Sequence, residues 1–451
     1  MSKIDATIFK AYDIRATVDR FTPAAARLIG QAAGSLALER GFTRFAVGRD
    51  GRLSSPVLVD ALIAGLLASG MDVLDLGLAA TPLLYYAANE LALGCGAVVT
   101  GSHSPPDYNG IKLMLGGETI DGAALQDLHS RIEEGAFSVG KGRVYPQDVT
   151  EAYFAAIGAV VALARPLKVV VDCGNGVAGV FAPRLYRRMG CQVVALYCEV
   201  DGHFPHHHPD PQVPANLVDL QAEVIRQKAD VGLAFDGDGD RLGVVTHSGQ
   251  IIPGDRLLML FAAAELARQP GHVLYDVKSS RLVSRWVAER GGSSEAIPTG
   301  HSHMKRALKA TGALLAGELS GHFAFAGWGV DDALFAGAKL LQMIAAGLNL
   351  DDEVERMPQS LITPELQVRL DENGTVAVER IAAAARFPSA ERVSTVDGLR
   401  IEYADGFGLI RASNTTPVLT LRIEADNAAA QQRIHDELAA AIAPLPMPVL
   451  D

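Results

Sequence analysis

A chain of 451 residues suggests about three domains, with four small ones allowed, and 49% hydrophobic against 20% charged residues is the balance of a globular protein with ample core. Its formal net charge of −12 argues against wholesale binding to nucleic acid or an anionic membrane, so any handling of phosphate must rest on positive charge gathered locally. Four cysteines with no Cys-x-x-Cys pair, an N-terminus without an apolar core and no apolar run of about 18 residues argue against a disulfide framework, a zinc site or a membrane span, and point to a cytoplasmic chain.

In chain order, Tyr12-Asp13-Ile14-Arg15 comes first, and alone it reads as a solvated charge near a terminus. A strand–helix–strand pattern then occurs three times. Phe45–Gly48 ends in Arg49-Asp50-Gly51, a helix runs from about Ser55 to Ala68, and Gly70 precedes a strand over 72–76. Lys168–Val171 ends in Asp172-Cys173-Gly174-Asn175-Gly176, with a helix to about Arg188 and a strand over 192–196. His272–Tyr275 ends in Asp276, with a helix over about 280–290 and Gly291-Gly292 before another strand. Each copy continues into a third strand, at 97–99, 232–235 and 313–316, and the first two go on to a further matching strand, a glycine turn and a helix.

The loops after those third strands differ in chemistry. The first is Thr100-Gly101-Ser102-His103-Ser104-Pro105-Pro106-Asp107-Tyr108-Asn109-Gly110, where a buried strand hands over to residues that continue neither helix nor strand. A hydroxyl on such a loop is presented to a ligand by a rigid scaffold. A Ser102–His103 hydrolase pair is disfavoured, because successive side chains of an extended loop diverge. The second, Asp236-Gly237-Asp238-Gly239-Asp240-Arg241, alternates carboxylates with glycines, so all three acids fall on one side. Hard oxygen ligands of this kind suit Mg²⁺. An EF-hand fails, because the positions that want glycine and a bidentate Glu hold Arg241 and His247. The third is Gly317-Glu318-Leu319-Ser320-Gly321 followed by His322. Open α/β sheets bind ligands at the carboxyl ends of their strands, so three equivalent loops are expected to face one cleft. From about residue 360 the pattern becomes a small α+β domain, with strands over 399–404, 408–411 and 418–424 and a helix over about 427–442. Its loop Arg411-Ala412-Ser413-Asn414-Thr415-Thr416-Pro417 sets one guanidinium among hydroxyl and amide groups, a phosphate-binding composition.

Over about residues 8–425 these motifs, in this order, resemble those of the α-D-phosphohexomutases, specifically the bacterial phosphomannomutase/phosphoglucomutase group. The chain departs from that pattern at Ser104, where the family has Asn, at Ala16, where it has Gly, and at 323–328, which lacks charged residues before Trp328. The resemblance implies that Ser102 carries a phosphoryl group exchanged with a sugar phosphate, with Asp236, Asp238, Asp240 and the Ser102 phosphate holding Mg²⁺. It implies cationic aid from Arg15 and Arg241, and an acid/base at Lys112 or His322. Substrate contacts fall to Tyr12, Lys278, His301 in a Gly300-His301-Ser302 turn, Glu318 and Ser320 on ring hydroxyls, and Arg411, Ser413, Asn414, Thr415 and Thr416 on phosphate. His206-His207-His208, ringed by prolines, reads as structural and not as a metal cluster.

The expectation is therefore three homologous mixed-sheet α/β domains and a smaller α+β C-terminal domain around a central cleft: 1–146 carrying the phosphoserine loop, 147–250 the metal, 251–359 the sugar loop and 360–451 the phosphate loop. The expected activity is interconversion of hexose 1- and 6-phosphates of mannose or glucose through a 1,6-bisphosphate, which also acts as activator. Phosphoglucosamine mutase is the nearest rival; a Mg²⁺-dependent sugar phosphatase and a non-catalytic sugar-phosphate binder are the others.

Overall fold

The computed structural model describes residues 4–413 and 418–450. Three sheets repeat one core. In the first, Arg44–Arg49 lies between Asp72–Leu78 and Gly96–Val99, parallel to both, and Tyr108–Leu115 adds antiparallel on the far side of Gly96–Val99. In the second, Lys168–Asp172 lies between Gln192–Leu196 and Val231–Phe235, again parallel to both, and Leu242–Thr246 adds antiparallel. In the third, His272–Asp276 lies between Ser293–Ile297 and Leu315–Gly317, parallel to both. The repeat expected from sequence is thus a repeat of strand order, and the strand preceding each chemical loop holds the same place in all three.

The local causes are ordinary. Every residue of Gly96–Val99 and of Val231–Phe235 is buried, as continuous apolar runs must be in sheets covered on both faces. Helix Pro23–Glu39 starts where the Thr22 hydroxyl accepts from Ala25 N and Pro23 occupies the first turn. Helix Ser55–Ser69 stops at Gly70, whose φ of 103° is the left-handed cap that glycine adopts most cheaply. These two helices pack on the first sheet around Phe21, Ile29, Phe45, Leu62 and Leu66, each fully buried, and each such side chain contributes about 1.5–3 kcal/mol of transfer free energy. Ala16 lies inside strand Ile14–Thr17, opposite Asn109, so no turn follows Arg15.

The C-terminal part is antiparallel: Val418–Ala425 runs between Leu361–Ile362 and Gly406–Ala412, followed outward by Leu399–Tyr403 and Arg392–Ser394. Helix Ala428–Ile442 buries Ile434 and Leu438 in the core formed with Leu421 and Ile423. By compactness the chain divides into Met1–Gly254 with Ser320–Val354, and Asp255–Leu319 with Glu355–Asp451. Among the described residues no single helix is long and apolar enough to cross a membrane.

Candidate active site

In the first unit, strand Gly96–Val99 delivers the chain into a loop held by two residues from the first repeat. Asp50 accepts from Thr100 Oγ1 at 2.8 Å and from Gly101 N at 3.1 Å, while its other oxygen accepts from Arg52 N at 3.0 Å. The Arg52 guanidinium, 1% exposed, donates to the carbonyl oxygens of Ser102, Ser104, Pro105 and Tyr108. A Cβ on Gly101 would sit 2.4 Å from that guanidinium, so the loop can close over Arg52 only with glycine there. Ser102 itself adopts φ 48°, a left-handed conformation that a non-glycine residue keeps only when its surroundings enforce it. These bonds point Ser102 Oγ at the aspartate loop, where it donates to Asp236 Oδ2 at 2.8 Å. His103 turns the other way and bonds Asp210 Oδ2 through Nδ1 at 3.1 Å, which excludes a Ser102–His103 relay in this conformation.

Asp236, Asp238 and Asp240 follow strand Val231–Phe235, all fully buried, and each offers an oxygen within 4.8 Å of the others. Asp236 Oδ1 caps the loop by accepting from the backbone N–H groups of Gly239, Asp240 and Arg241 at 3.0–3.1 Å. Burial first, and then the charges of Asp238 and Asp240, hold the Asp236 carboxyl well above the usual carboxylate range. Asp238 is opposite in sign: burial and Asp240 push it up, but the Lys112 charge and the bonds from Lys112 and Thr81 outweigh them and hold it low. Lys112, 4% exposed, donates to Asp238 Oδ2 at 2.6 Å and also reaches Asp240. Burial alone would lower its pKa, yet the Asp238, Asp240 and Asp236 carboxylates raise it far above the ordinary lysine value.

Lys112 is in direct contact with two of the three carboxylates, and Arg241 Nε lies 4.0 Å from Asp236. The Asp238 Oδ1 atom is buried and has no hydrogen-bond donor. An orphaned carboxylate oxygen inside a ring of three buried acids fits a hard divalent cation, with Asp236, Asp238 and Asp240 as its oxygen ligands.

His322 and Ser320 belong to this unit as well. His322 Nε2 lies 3.2 Å from Asp240 Oδ1, and its Nδ1 lies 3.0 Å from Ser320 Oγ. Asp331, buried and unnoticed in the sequence, gathers with Asp240 and His322 within the same 4.8 Å. Arg15 reaches the serine loop through Ser104 Oγ at 3.0 Å, so the serine standing where the family has asparagine serves as its acceptor. Tyr12 sits half-buried in the bend before strand Ile14–Thr17. Two of the three consecutive histidines bond neighbouring side chains: His206 Nδ1 bonds Asn175 Oδ1 at 2.8 Å, and His207 Nε2 bonds Asp172 at 3.0 Å.

The second unit gathers a different set. Glu318, 2% exposed, accepts from Gly300 N at 2.6 Å. Gly300 precedes helix His301–Thr311, so His301 opens a helix and does not sit in the expected turn; its Nδ1 lies 3.1 Å from Lys305 Nζ. Asp397 accepts from Thr299 N at 3.0 Å and from Arg411 Nε at 2.8 Å, tying the 299–301 segment to the arginine. Buried Asp276 accepts from Leu319 N at 3.0 Å and Thr299 Oγ1 at 3.1 Å; burial and then Glu318 raise its pKa. Lys278 pairs with Glu365. Ser413 lies just past strand Gly406–Ala412, and Asn414, Thr415 and Thr416 lie outside the described residues.

Sequence reasoning missed Asp50, Arg52, Thr81, Asp331 and Asp397. The first had a signal: Arg49-Asp50-Gly51 ends the first strand of a repeat whose second copy ends in Asp172 and third in Asp276.

Four family models match along the chain: phosphoglucomutase/phosphomannomutase alpha/beta/alpha domains I, II and III at residues 6–139, 151–249 and 253–361, and the C-terminal domain at 365–441. A phosphoglucomutase of Neisseria gonorrhoeae is 50% identical over 450 residues, covering 98% of each chain. A phosphomannomutase/phosphoglucomutase of Pseudomonas aeruginosa is 48% identical over 455 residues, covering 99% of this chain and 98% of the other. The crystal structure of a phosphoglucomutase/phosphomannomutase family protein from Burkholderia thailandensis superposes with a TM-score of 0.94 at 46% identity, over 99% of this chain and 100% of that one. A serine aimed at three buried aspartates, on the strand order shared by three repeats, thus sits in a chain that belongs to the phosphoglucomutase/phosphomannomutase family.

Proposed function

We propose that this chain is a phosphohexomutase that interconverts the 1- and 6-phosphates of glucose and mannose through a phosphoserine at Ser102 and a hexose 1,6-bisphosphate. The observation that carries the reading is Ser102 Oγ, held 2.8 Å from Asp236 by a clamped loop. Non-catalytic binding requires no hydroxyl aimed at buried acids. In phosphoryl transfer the protein chiefly positions the groups and neutralises charge, which is what these residues are arranged to do.

The Ser102 phosphoryl passes to the free hydroxyl of the bound hexose phosphate, giving the bisphosphate; the bisphosphate turns round, and its other phosphoryl returns to Ser102. Asp236, Asp238 and Asp240 would hold Mg²⁺, which when bound supplies positive charge to the transferring phosphoryl oxygens. Arg241 and Arg15 add cationic charge around the serine loop. His322, beside Asp240, takes the proton from the attacking sugar hydroxyl and returns it when the direction reverses, while Lys112, held protonated by Asp238 and Asp240, can act there only as an acid or a positive charge. In the second unit, Arg411 binds phosphate with Ser413, Asn414, Thr415 and Thr416, and Lys278, His301 and Glu318 are substrate contacts; in the first unit, Tyr12 and Ser320 have that role. On this reading the labour divides at 1–146, 147–250, 251–359 and 360–451, in the order serine, metal, sugar and phosphate.

The test is conversion of glucose 1-phosphate to the 6-phosphate, with and without divalent metal and added glucose 1,6-bisphosphate. Turnover that requires metal and is stimulated by bisphosphate is expected. Release of inorganic phosphate instead would make the protein a phosphatase, and a preference for glucosamine 1-phosphate would change the sugar while leaving the serine chemistry in place.

A further inference from the structure

In the second repeat the paired strands Lys168–Asp172 and Gln192–Leu196 end in register, Asp172 opposite Leu196. The chain beyond each end carries a cysteine, and the two sulfurs meet: Cys198 Sγ lies 3.5 Å from Cys173 Sγ. Both are free thiols, Cys173 fully buried and Cys198 half-buried. Cys198 also lines a cavity of about 410 Å³ with Asn175, Arg187, Tyr197, Glu199 and His206. The cavity therefore borders one cysteine of the pair and not the other. Cys173 is sealed from solvent and Cys198 is not, so Cys198 is the one to react first.

The pair is also connected to the aspartate loop. Cys173 begins the segment Gly174-Asn175-Gly176, and Val177 N donates to Gly237 O at 3.1 Å. A Cβ on Gly176 would lie 2.9 Å from Gly237 Cα, so the two loops touch backbone to backbone. Gly237 sits between Asp236 and Asp238. A disulfide needs its sulfurs at ~2.05 Å, so closing the 3.5 Å gap brings the two sulfurs about 1.5 Å nearer and restrains the two segments that carry them. Close-packed loops pass such a shift on.

We propose that Cys173 and Cys198 form a reversible disulfide under peroxide, and that it weakens divalent-metal binding at the aspartate loop. The Cys198 thiolate attacks the O–O bond of a hydroperoxide; a sulfur–oxygen bond forms, the O–O bond breaks, and the departing hydroxide (or alkoxide) takes a proton. Cys173 sulfur then attacks Cys198 sulfur, and the sulfenic hydroxyl leaves with the Cys173 proton as water. Two thiols lose two electrons and the peroxide gains them. A dithiol reductant reverses the bond by exchange.

The experiment treats the phosphorylated enzyme with hydrogen peroxide, alkylates remaining thiols, maps peptides without reduction, and titrates Mn²⁺ calorimetrically. A 173–198 linked peptide is expected, with Cys95 and Cys191 alkylated, Mn²⁺ affinity down at least tenfold, and both changes undone by dithiothreitol. Cys198→Ala should show neither link nor loss while keeping basal turnover. Cys173→Ala should stop at a Cys198 sulfenic acid that dimedone traps, which tests the order of attack even where the alanine at 198 is poorly folded. Four alkylated thiols after peroxide, or Cys198 over-oxidised with no link, overturns the proposal. A link with unchanged Mn²⁺ affinity overturns the coupling, and equal loss in Cys198→Ala places the damage elsewhere. The link is read by mass and is independent of which sugar the enzyme turns over.

Discussion

The two units treat charge in opposite ways. Around Ser102 and the aspartates, charged groups are buried and cross-linked: Arg52 closes on four carbonyls, and Lys112 on two carboxylates. In the second unit, candidate ligand-binding cations pair with acids that have more solvent access. Lys278 pairs with Glu365, their side chains 20% and 35% exposed, and Arg411 bonds Asp397, which is 20% exposed. Each arrangement suits a different task. Chemistry gains from dipoles that need not reorganise, so its charges are fixed in advance. Recognition must exchange an internal partner for a ligand on every cycle, so its ion pairs must be cheap to open.

The comparison breaks at once if Ser102 is not the nucleophile. Ser102→Ala should cut turnover roughly 10³-fold or more while leaving glucose 1-phosphate binding intact. Fragmentation mass spectrometry should find the phosphate of fresh enzyme on Ser102; finding it on Ser54, Ser55 or a histidine sinks the assignment.

Asp238→Asn comes next. It should abolish metal binding, and with it nearly all activity, while the protein still folds, because an amide oxygen still accepts from Thr81 and Lys112 and Lys112 keeps Asp240 as its partner. Metal stoichiometry and a melt check it, and full activity in excess chelator would make the aspartates structural.

Arg52 sharpens the contrast, because it touches the serine only through backbone. Arg52→Ala leaves Asp50 buried without its cation and strips a donor from four carbonyls, at a cost of about 3–5 kcal/mol of stability. Arg52→Lys keeps the charge, but a single ammonium lacks the planar fork that spans the loop. Its turnover should fall roughly tenfold with an unchanged KM, since the misplaced group is the nucleophile and not a substrate contact. A lysine variant with normal turnover would reduce Arg52 to filler.

How far the sequence carried the reading depends on range. Strand order and the chemical loops were legible because each repeat signals itself locally: apolar runs, glycine turns, alternating acids. The Asp50–Arg52 clamp was not, since residues some 50 positions apart meet only through the parallel pairing of Arg44–Arg49 with Gly96–Val99. Asp331 was hidden for the same reason: it is 91 residues from Asp240 and carries no spacing signal. His301 was placed in a turn because Gly300 precedes it; Gly300 in fact caps a helix, a role glycine plays equally well.

In the second unit, Arg411→Ala should weaken glucose 1-phosphate and glucose 6-phosphate alike. Loss of a charge-assisted contact is worth roughly 1.5–3 kcal/mol, about ten- to a hundredfold in affinity. Calorimetric titration with both isomers decides, and an effect on one alone excludes a shared phosphate site.

The smallest effect is the most specific to the contrast. Glu365 holds the Lys278 ammonium, and a ligand phosphate that recruits Lys278 has to displace that carboxylate. Partly exposed pairs contribute about 0–1 kcal/mol, so Glu365→Gln should tighten hexose phosphate binding by no more than about fivefold. Because the competitor is a charge in solvent reach, the gain should shrink as salt rises and screens it. Stability should stay within about 0.5 kcal/mol, as for surface substitutions in general. The same neutralisation in the first unit, at Asp238, is expected to abolish function altogether. If Glu365→Gln weakens binding, or if its effect is indifferent to salt, then the Lys278–Glu365 pair is a fixed element of the site and the proposed distinction between wired and exchangeable charge fails at its weakest link.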